Sequence, residues 1–212
     1  LFRMIKIQEH LNKSDIDTYF NQLLVKHWEE LNPKEKVTGV VYSKSSLIKK
    51  CEKYYNETNT FNYIKDYANN QKSNAIRHRK FFRYLKNKNY KNLRRIVYSK
   101  PEEFDLIKSE ILRILISDDL YSKSKNGSIK QTKFGKLLSD NIFGYSKFRS
   151  STYCVNLYKE LGFEDLTCPY CNSSEIEIIP NPKKNKLELY ADLDHFYPKS
   201  QNPFFAVSFF NL

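Results

Sequence analysis

The sequence predicts a mainly α chain that changes to β structure after about residue 165. Three observations carry this. Apolar residues recur at helical spacing from Ile16 to Leu161, and serine, proline and glycine stand where those helices would start and stop. Beyond them, Ile176, Ile178 and Ile179, a Pro-Asn-Pro-Lys-Lys-Asn turn, and Leu187, Leu189 and Leu193 alternate as a β-hairpin. The 212 residues suit one ordinary domain, or a domain with a small module. An aromatic content of 15% excludes wholesale disorder. Apolar stretches such as 204–207 fall far short of the ~20 residues of a spanning helix, and no signal peptide opens the chain. A soluble, cytoplasmic protein is expected, with Met4 as a candidate start.

The elements follow in order. Ser14 can cap a helix that carries Ile16, Phe20, Leu23, Leu24, His27, Trp28 and Leu31 and is stopped by Asn32-Pro33. A second helix carries Leu47, Ile48, Cys51, Tyr54 and Tyr55. A third begins at Ser99-Lys100-Pro101, with Glu102 and Glu103 in its first turn and Phe104, Ile107, Ile111, Ile114 and Leu115 inside. Ser122 to Ser128 is polar and reads as a loop. A further helix from about Ser150 to Leu161 meets Gly162 in the C-cap position. Cys51 and Cys154 lie on apolar faces and read as packing residues. His10, His27 and His78 are isolated, which suits structural or surface roles.

Charge is concentrated in one place. Residues 61–100 hold twelve Lys and Arg against one acid, Asp66, which is nearly the whole net charge of +12. At ~100° per residue, Arg77, Lys80, Tyr84, Lys88, Lys91 and Arg95 share one face, while Phe82, Leu85, Leu93 and Ile96 point elsewhere. A basic stripe with an embedded Tyr is what a phosphate backbone requires. The competing reading is a solvated face, and Asn87-Lys88-Asn89 would spoil the stripe if it splits the helix.

The sharpest motifs follow the boundary at 165. Cys168-Pro-Tyr-Cys171 has the two-residue gap that lets two thiolates hold one zinc ion. Alternatives are simple packing and redox chemistry, since the tetrapeptide is that of glutaredoxin active sites. No helix pattern follows to lower the thiol pKa. Asp194-His195, ahead of a turn at Pro198-Lys199, can place a hard divalent cation beside a general base.

Taken together, Cys-Pro-Tyr-Cys-Asn, the hairpin, Leu-Asp-His-Phe-Tyr-Pro-Lys-Ser and the final Phe-Phe-Asn-Leu resemble the zinc-stapled branch of the HNH endonuclease family over residues 168–212. The resemblance implies an α+β ββα-metal module, of which the β part is present here, behind a helical region at residues 4–165. It implies that His195 activates water, that Asp194 holds Mg²⁺ or Mn²⁺, and that Asn211 braces the loop. Cys168 and Cys171 would be half of a structural zinc site. Lys199 is a candidate contact to the scissile DNA backbone, beside Arg77, Lys80, Lys88, Lys91 and Arg95. Chains of this kind are similar to nuclease components of bacterial anti-phage systems of the Septu type, which implies an ATPase partner.

The module's helix, last metal ligand and second zinc pair do not appear before Leu212. A strand ending at Phe209-Phe210 would expose an apolar edge. The native protein is therefore expected to continue, and the chain ending at Leu212 to be inactive by itself. The alternatives to a nuclease are a zinc-stapled nucleic-acid binder without catalysis, or a thiol oxidoreductase using Cys168.

Overall fold

The computed structural model describes residues 15–37, 39–163, 166–167, 175–182, 186–190 and 195–212. It is mainly helical, with a few small antiparallel strand pairs. Among the described residues, no helix is long and apolar enough to cross a membrane.

Local signals place the helix ends. Helix α1 spans Ile16–Leu31. Its cap is Asp15, whose Oδ1 accepts from Thr18 N at 3.0 Å. The expected cap, Ser14, lies outside the described residues, as do Met4 and His10. Helix α2 is Leu47–Glu57, capped by Ser46 Oγ on Lys49 N, and α3 is Phe61–Tyr67, capped by Thr60.

Helix α4, Lys72–Tyr98, is not one rod. Asn87 has ψ 144°, and Lys88, Asn89 and Tyr90 take φ of 46°, 53° and 63°. Asparagine tolerates the left-handed region, so a Lys-Asn repeat is where a helix of this length gives way. Asn92 Nδ2 donates to Tyr84 O at 2.9 Å and the Tyr90 hydroxyl donates to Glu52, which hold the break in place. The basic residues expected on one continuous face are thus divided between two half-helices.

After a turn at Pro101–Glu103 come α5, Phe104–Leu112, and α6, Ser117–Leu120. The helix expected to run past Ile114 stops at Leu112, although Leu115 is still buried. Of the stretch Ser122–Ser128 read as a loop, residues 124–128 are the loop of a hairpin whose strands, β1, Tyr121–Lys123, and β2, Ile129–Gln131, pair Ser122 with Lys130. Its outward-facing strands carry no apolar alternation, so the pattern left no trace. Helix α7, Lys133–Lys136, leads into a π turn over Leu137–Ile142. A Cβ on Gly135 would lie 2.1 Å from Leu120 O, so only glycine lets α7 approach α6 this closely.

Helices α8, Tyr145–Arg149, and α9, Thr152–Glu160, precede the strands. Ser151 caps α9, and Gly162, at φ 73°, ends it. Gly162 N donates to Lys159 O and Phe163 N to Tyr158 O, both at 2.9 Å, the paired bonds of a Schellman motif. Strands β3, Leu166–Thr167, β4, Glu175–Asn181, and β5, Lys186–Tyr190, form one antiparallel sheet in which Ile178 faces Leu189.

Packing does not divide the chain at residue 165. One compact unit joins residues 26–145 to 195–212; the other joins 15–25 to the described part of 146–193. In the larger unit, Phe81, Phe82, Leu85, Leu93, Ile96, Phe104, Ile107, Ile111, Phe134, Phe204 and Phe205 are fully buried. The run Phe204-Phe205-Ala206-Val207 explains why the C-terminal segment belongs there. Removing two phenylalanines and a valine from water gains roughly 1.5–3 kcal/mol per side chain, which far outweighs proximity in sequence to the hairpin. In the smaller unit, β5 packs on α9, and Arg149 Nη2 donates to Leu189 O at 3.0 Å.

Cys51 and Cys154 are buried free thiols, and burial pushes both up to about 12, which suits packing residues. His27 is also fully buried, with Nε2 donating to Val207 O at 2.8 Å. Burial lowers it from 6.5 to about 4, only partly offset by that bond. Below pH 6.5 the unfolded chain takes up a proton that the folded chain refuses, so stability should fall as pH drops towards 4. At pH 5 the loss relative to pH 7 should be about 2 kcal/mol from His27 alone, read by urea unfolding. His27→Gln, which keeps a donor but not the titration, should remove most of that difference. A loss that persists undiminished in His27→Gln would assign the proton to another group.

Candidate functional site

Residues 195–212 of the larger unit carry the candidate base and a buried polar clamp. They do not form the expected strand. Pro203–Phe205 and Phe209–Asn211 are 3₁₀ turns, and Phe209, expected to be exposed, is buried. Proline at the first position and a continuous run of large rings favour a compact turn wrapped on the core over a sheet edge.

Asn211 is 1% exposed, and its amide is used up by backbone. Oδ1 accepts from Tyr197 N at 2.6 Å, while Nδ2 donates to Tyr197 O at 3.2 Å and Phe205 O at 3.0 Å. One side chain therefore ties the turn after His195 to the turn at Phe205. An unpaired amide in this position would cost ~1–3 kcal/mol per lost group, so the pairing is a structural requirement of the site.

His195 is 9% exposed, and its Nε2 lies 3.1 Å from Ala206 O. A carbonyl oxygen only accepts, so Nε2 carries the hydrogen. In the neutral ring the basic nitrogen is then Nδ1. The ring is also packed against Tyr145 at 4.8 Å between centroids, and Lys199 Nζ sits 3.5 Å from the Tyr145 centroid. Burial lowers the Lys199 pKa, opposed by Asp140, and Lys199 O accepts from Gln131 Nε2 at 2.7 Å. Tyr145 thus touches both Lys199 and His195, its ring tilted 56° from the imidazole. The Tyr197 hydroxyl donates to Asp105; burial and that carboxylate push its pKa up to about 12. Tyr145 and Asp105 lie 50 and 90 residues before His195, and no sequence spacing marks either.

Asp194, Cys168 and Cys171, the other expected ligands, lie outside the described residues. Among the described residues, no three His, Cys, Asp or Glu side chains converge as a metal site.

The expected basic face is redistributed. Arg77 donates from Nε and Nη2 to both oxygens of Asp119 at 2.7 Å. Arg95 Nη1 donates to both Glu110 oxygens at 3.0 Å, and Tyr84 donates to Glu110 at 2.8 Å. Lys80, Lys88 and Lys91 are exposed. Two of the five basic residues in the stripe are therefore held by carboxylates 15 and 42 residues along the chain. Comparison with known proteins adds no relative: no protein-family model, curated protein or solved structure matches the chain.

Proposed function

We propose that this chain is the binding region and part of the catalytic module of a metal-dependent HNH-type endonuclease that hydrolyses phosphodiester bonds in DNA. The observation that carries the reading is the clamp made by Asn211. Its three bonds to the backbone at Tyr197 and Phe205 hold the loop on which His195 stands. That is the bracing role the family resemblance assigns to this asparagine.

The chemistry follows from the tautomer. With Nε2 donating to Ala206 O, Nδ1 of His195 is the nitrogen that accepts a proton from the attacking water. Tyr145 and the Ala206 carbonyl limit how the ring can turn, so the base is already oriented before substrate arrives. Lys199, held over the Tyr145 ring that also packs on His195, brings a positive charge close to the candidate base. Asp194, next in sequence to this histidine, offers a carboxylate, the ligand type that a hard divalent ion takes. A Mg²⁺ or Mn²⁺ ion held by Asp194 would supply charge neutralisation at the phosphate. Cys168 and Cys171 would give two thiolates to a structural zinc ion.

The direct test is conversion of supercoiled plasmid to nicked or linear product by the full gene product, with and without Mg²⁺ or Mn²⁺. Metal-stimulated cleavage that co-elutes with the protein is expected. Binding with no cleavage under either ion would leave a nucleic-acid-binding protein and remove the nuclease.

A further inference from the structure

The break in α4 creates a second basic site, of whose residues the sequence stripe contained Lys88 alone. Tyr55, Arg83, Lys86, Asn87 and Lys88 line a pocket of about 270 Å³ where α2 faces the end of the first half of α4. Small-molecule sites usually enclose roughly 300–1,000 Å³, so this one has room for a phosphodiester group and little more.

Tyr55 organises it. The Arg79 guanidinium lies 4.1 Å from the Tyr55 ring centroid and Lys86 Nζ 4.3 Å from it. Arg79 is anchored through Nη1 to Tyr55 O at 2.8 Å and to Thr58 Oγ1 at 3.1 Å. The Arg83 side chain lies at the Tyr55 hydroxyl and lowers its pKa, burial opposing. The electron-rich face of the ring thus gathers cations that would otherwise repel one another. Among the described residues, none of Arg79, Arg83, Lys86 and Lys88 has a carboxylate within ion-pair distance. The acids of α2 have hydrogen-bond or ion-pair partners outside the site, Glu52 in Lys49 and Tyr90 and Glu57 in Lys53, although the Lys86 charge also helps to lower the Glu52 pKa. Arg77 and Arg95, by contrast, both have carboxylate partners.

Spacing points to a chain of phosphates. Arg79, Arg83 and Lys86 stand at i, i+4 and i+7, with exposed Lys72 seven residues before Arg79, so they make one row along the half-helix. At ~1.5 Å rise per residue, Arg79 to Lys86 covers about 10 Å, a line of charge that suits a polyanion better than one small anion. We propose that Tyr55, Arg79, Arg83, Lys86 and Lys88 form the site that grips the phosphate backbone of the nucleic-acid strand. The choice of nucleic acid among polyanions rests on the nuclease reading above; the site itself does not.

The test is fluorescence anisotropy of a labelled DNA oligonucleotide with the full gene product, without Mg²⁺ or Mn²⁺, across a salt series. Arg83 and Lys88 are exposed, so charge reversal at both leaves the core alone. The double variant R83E/K88E should bind at least ~10-fold more weakly near 100 mM salt, and its log–log salt slope should flatten by about 2, because two phosphate contacts no longer release counterions. A charge-matched variant on the exposed β1 hairpin, K123E/K125E, should keep its slope. Equal losses in the two variants would mean diffuse attraction and overturn the site. So would tight binding of inorganic phosphate that R83E/K88E loses while oligonucleotide binding stays unchanged. The two readings separate cleanly. Protein that binds through this pocket and never cleaves keeps the site and loses the nuclease; protein that cleaves subsaturating DNA undiminished in R83E/K88E keeps the nuclease and loses the site.

Discussion

His195→Ala in the full gene product is expected to lower cleavage by ~10²–10⁴-fold, the usual contribution of a positioned base, while DNA binding stays close to wild type and the melting curve falls by only the loss of one buried side chain. The reasoning rests on the ring's commitments. The variant forfeits at least the bond from Nε2 to Ala206 O and the packing on Tyr145, together with the nitrogen that would take the proton. Asp194→Ala should also abolish cleavage, but by weakening ion binding, so excess Mn²⁺ should restore part of it and restore nothing in His195→Ala. Asn211→Ala should behave differently again. It removes three bonds to buried backbone, so it should lower both activity and stability. Asn211→Asp keeps the acceptor for Tyr197 N but sets a buried carboxylate oxygen against Tyr197 O and Phe205 O, so it should lose at least as much as Asn211→Ala. Undiminished cutting by His195→Ala, with activity co-eluting with the protein, would end the HNH assignment.

Asp119→Ala should be the most damaging substitution away from that site, costing about 3 kcal/mol in chemical denaturation. Asp119 is 4% exposed and takes both arms of the Arg77 fork, and its Oδ2 also accepts from Ile116 N at 3.0 Å. His78, stacked on Phe134 at 3.5 Å and in contact with the Tyr63 hydroxyl, places Nε2 3.5 Å from Asp119 Oδ1. Burial pushes the Asp119 carboxyl up, but Arg77, His78 and the Ile116 N–H outweigh it and hold the pKa at about 2. The stabilisation is therefore fully present above pH 4 and is lost as pH falls through about 2. Arg77 reaches water, so truncating Asp119 strands one partly solvated cation rather than a buried one, which sets the cost at the low end of the ~3–5 kcal/mol range for broken buried pairs. A change below 1 kcal/mol would show that the fork contributes no more than a surface ion pair. Arg77→Glu would damage the same network, which makes Arg77 unsuitable for testing nucleic-acid binding.

Much of the helical framework is legible in residues a few places apart. Ser46 and Ser151 cap α2 and α9 because a short hydroxyl side chain reaches a free N–H three residues on, and Gly162 ends α9 because it adopts φ 73° without strain. Phe82, Leu85, Leu93 and Ile96 could be assigned to the core from their spacing, and each is fully buried. The hairpin of β4 and β5 follows from alternation in the same way. The β1 hairpin left no such trace, since its strands present polar residues outward on both sides of Gly127.

Local interactions thus determined where helices begin and end and which faces turn inward, because capping bonds and burial periodicity act over one or two turns. The sequence also singled out Asn211 and His195, each of which bonds to backbone within residues 195–212. Tertiary packing alone decided what surrounds them: Tyr145 against His195, Asp105 on Tyr197, and Ala206 O as the acceptor that selects the tautomer. It decided as well which cations remain available to a ligand. Arg77 and Arg95 look like their neighbours in sequence, but each lies beside a carboxylate brought in from another element, whereas Arg83 and Lys88 do not. The physical reason is range: a hydrogen bond or an ion pair is a matter of about 3 Å in space, and helical spacing carries no information about a partner 42 residues away.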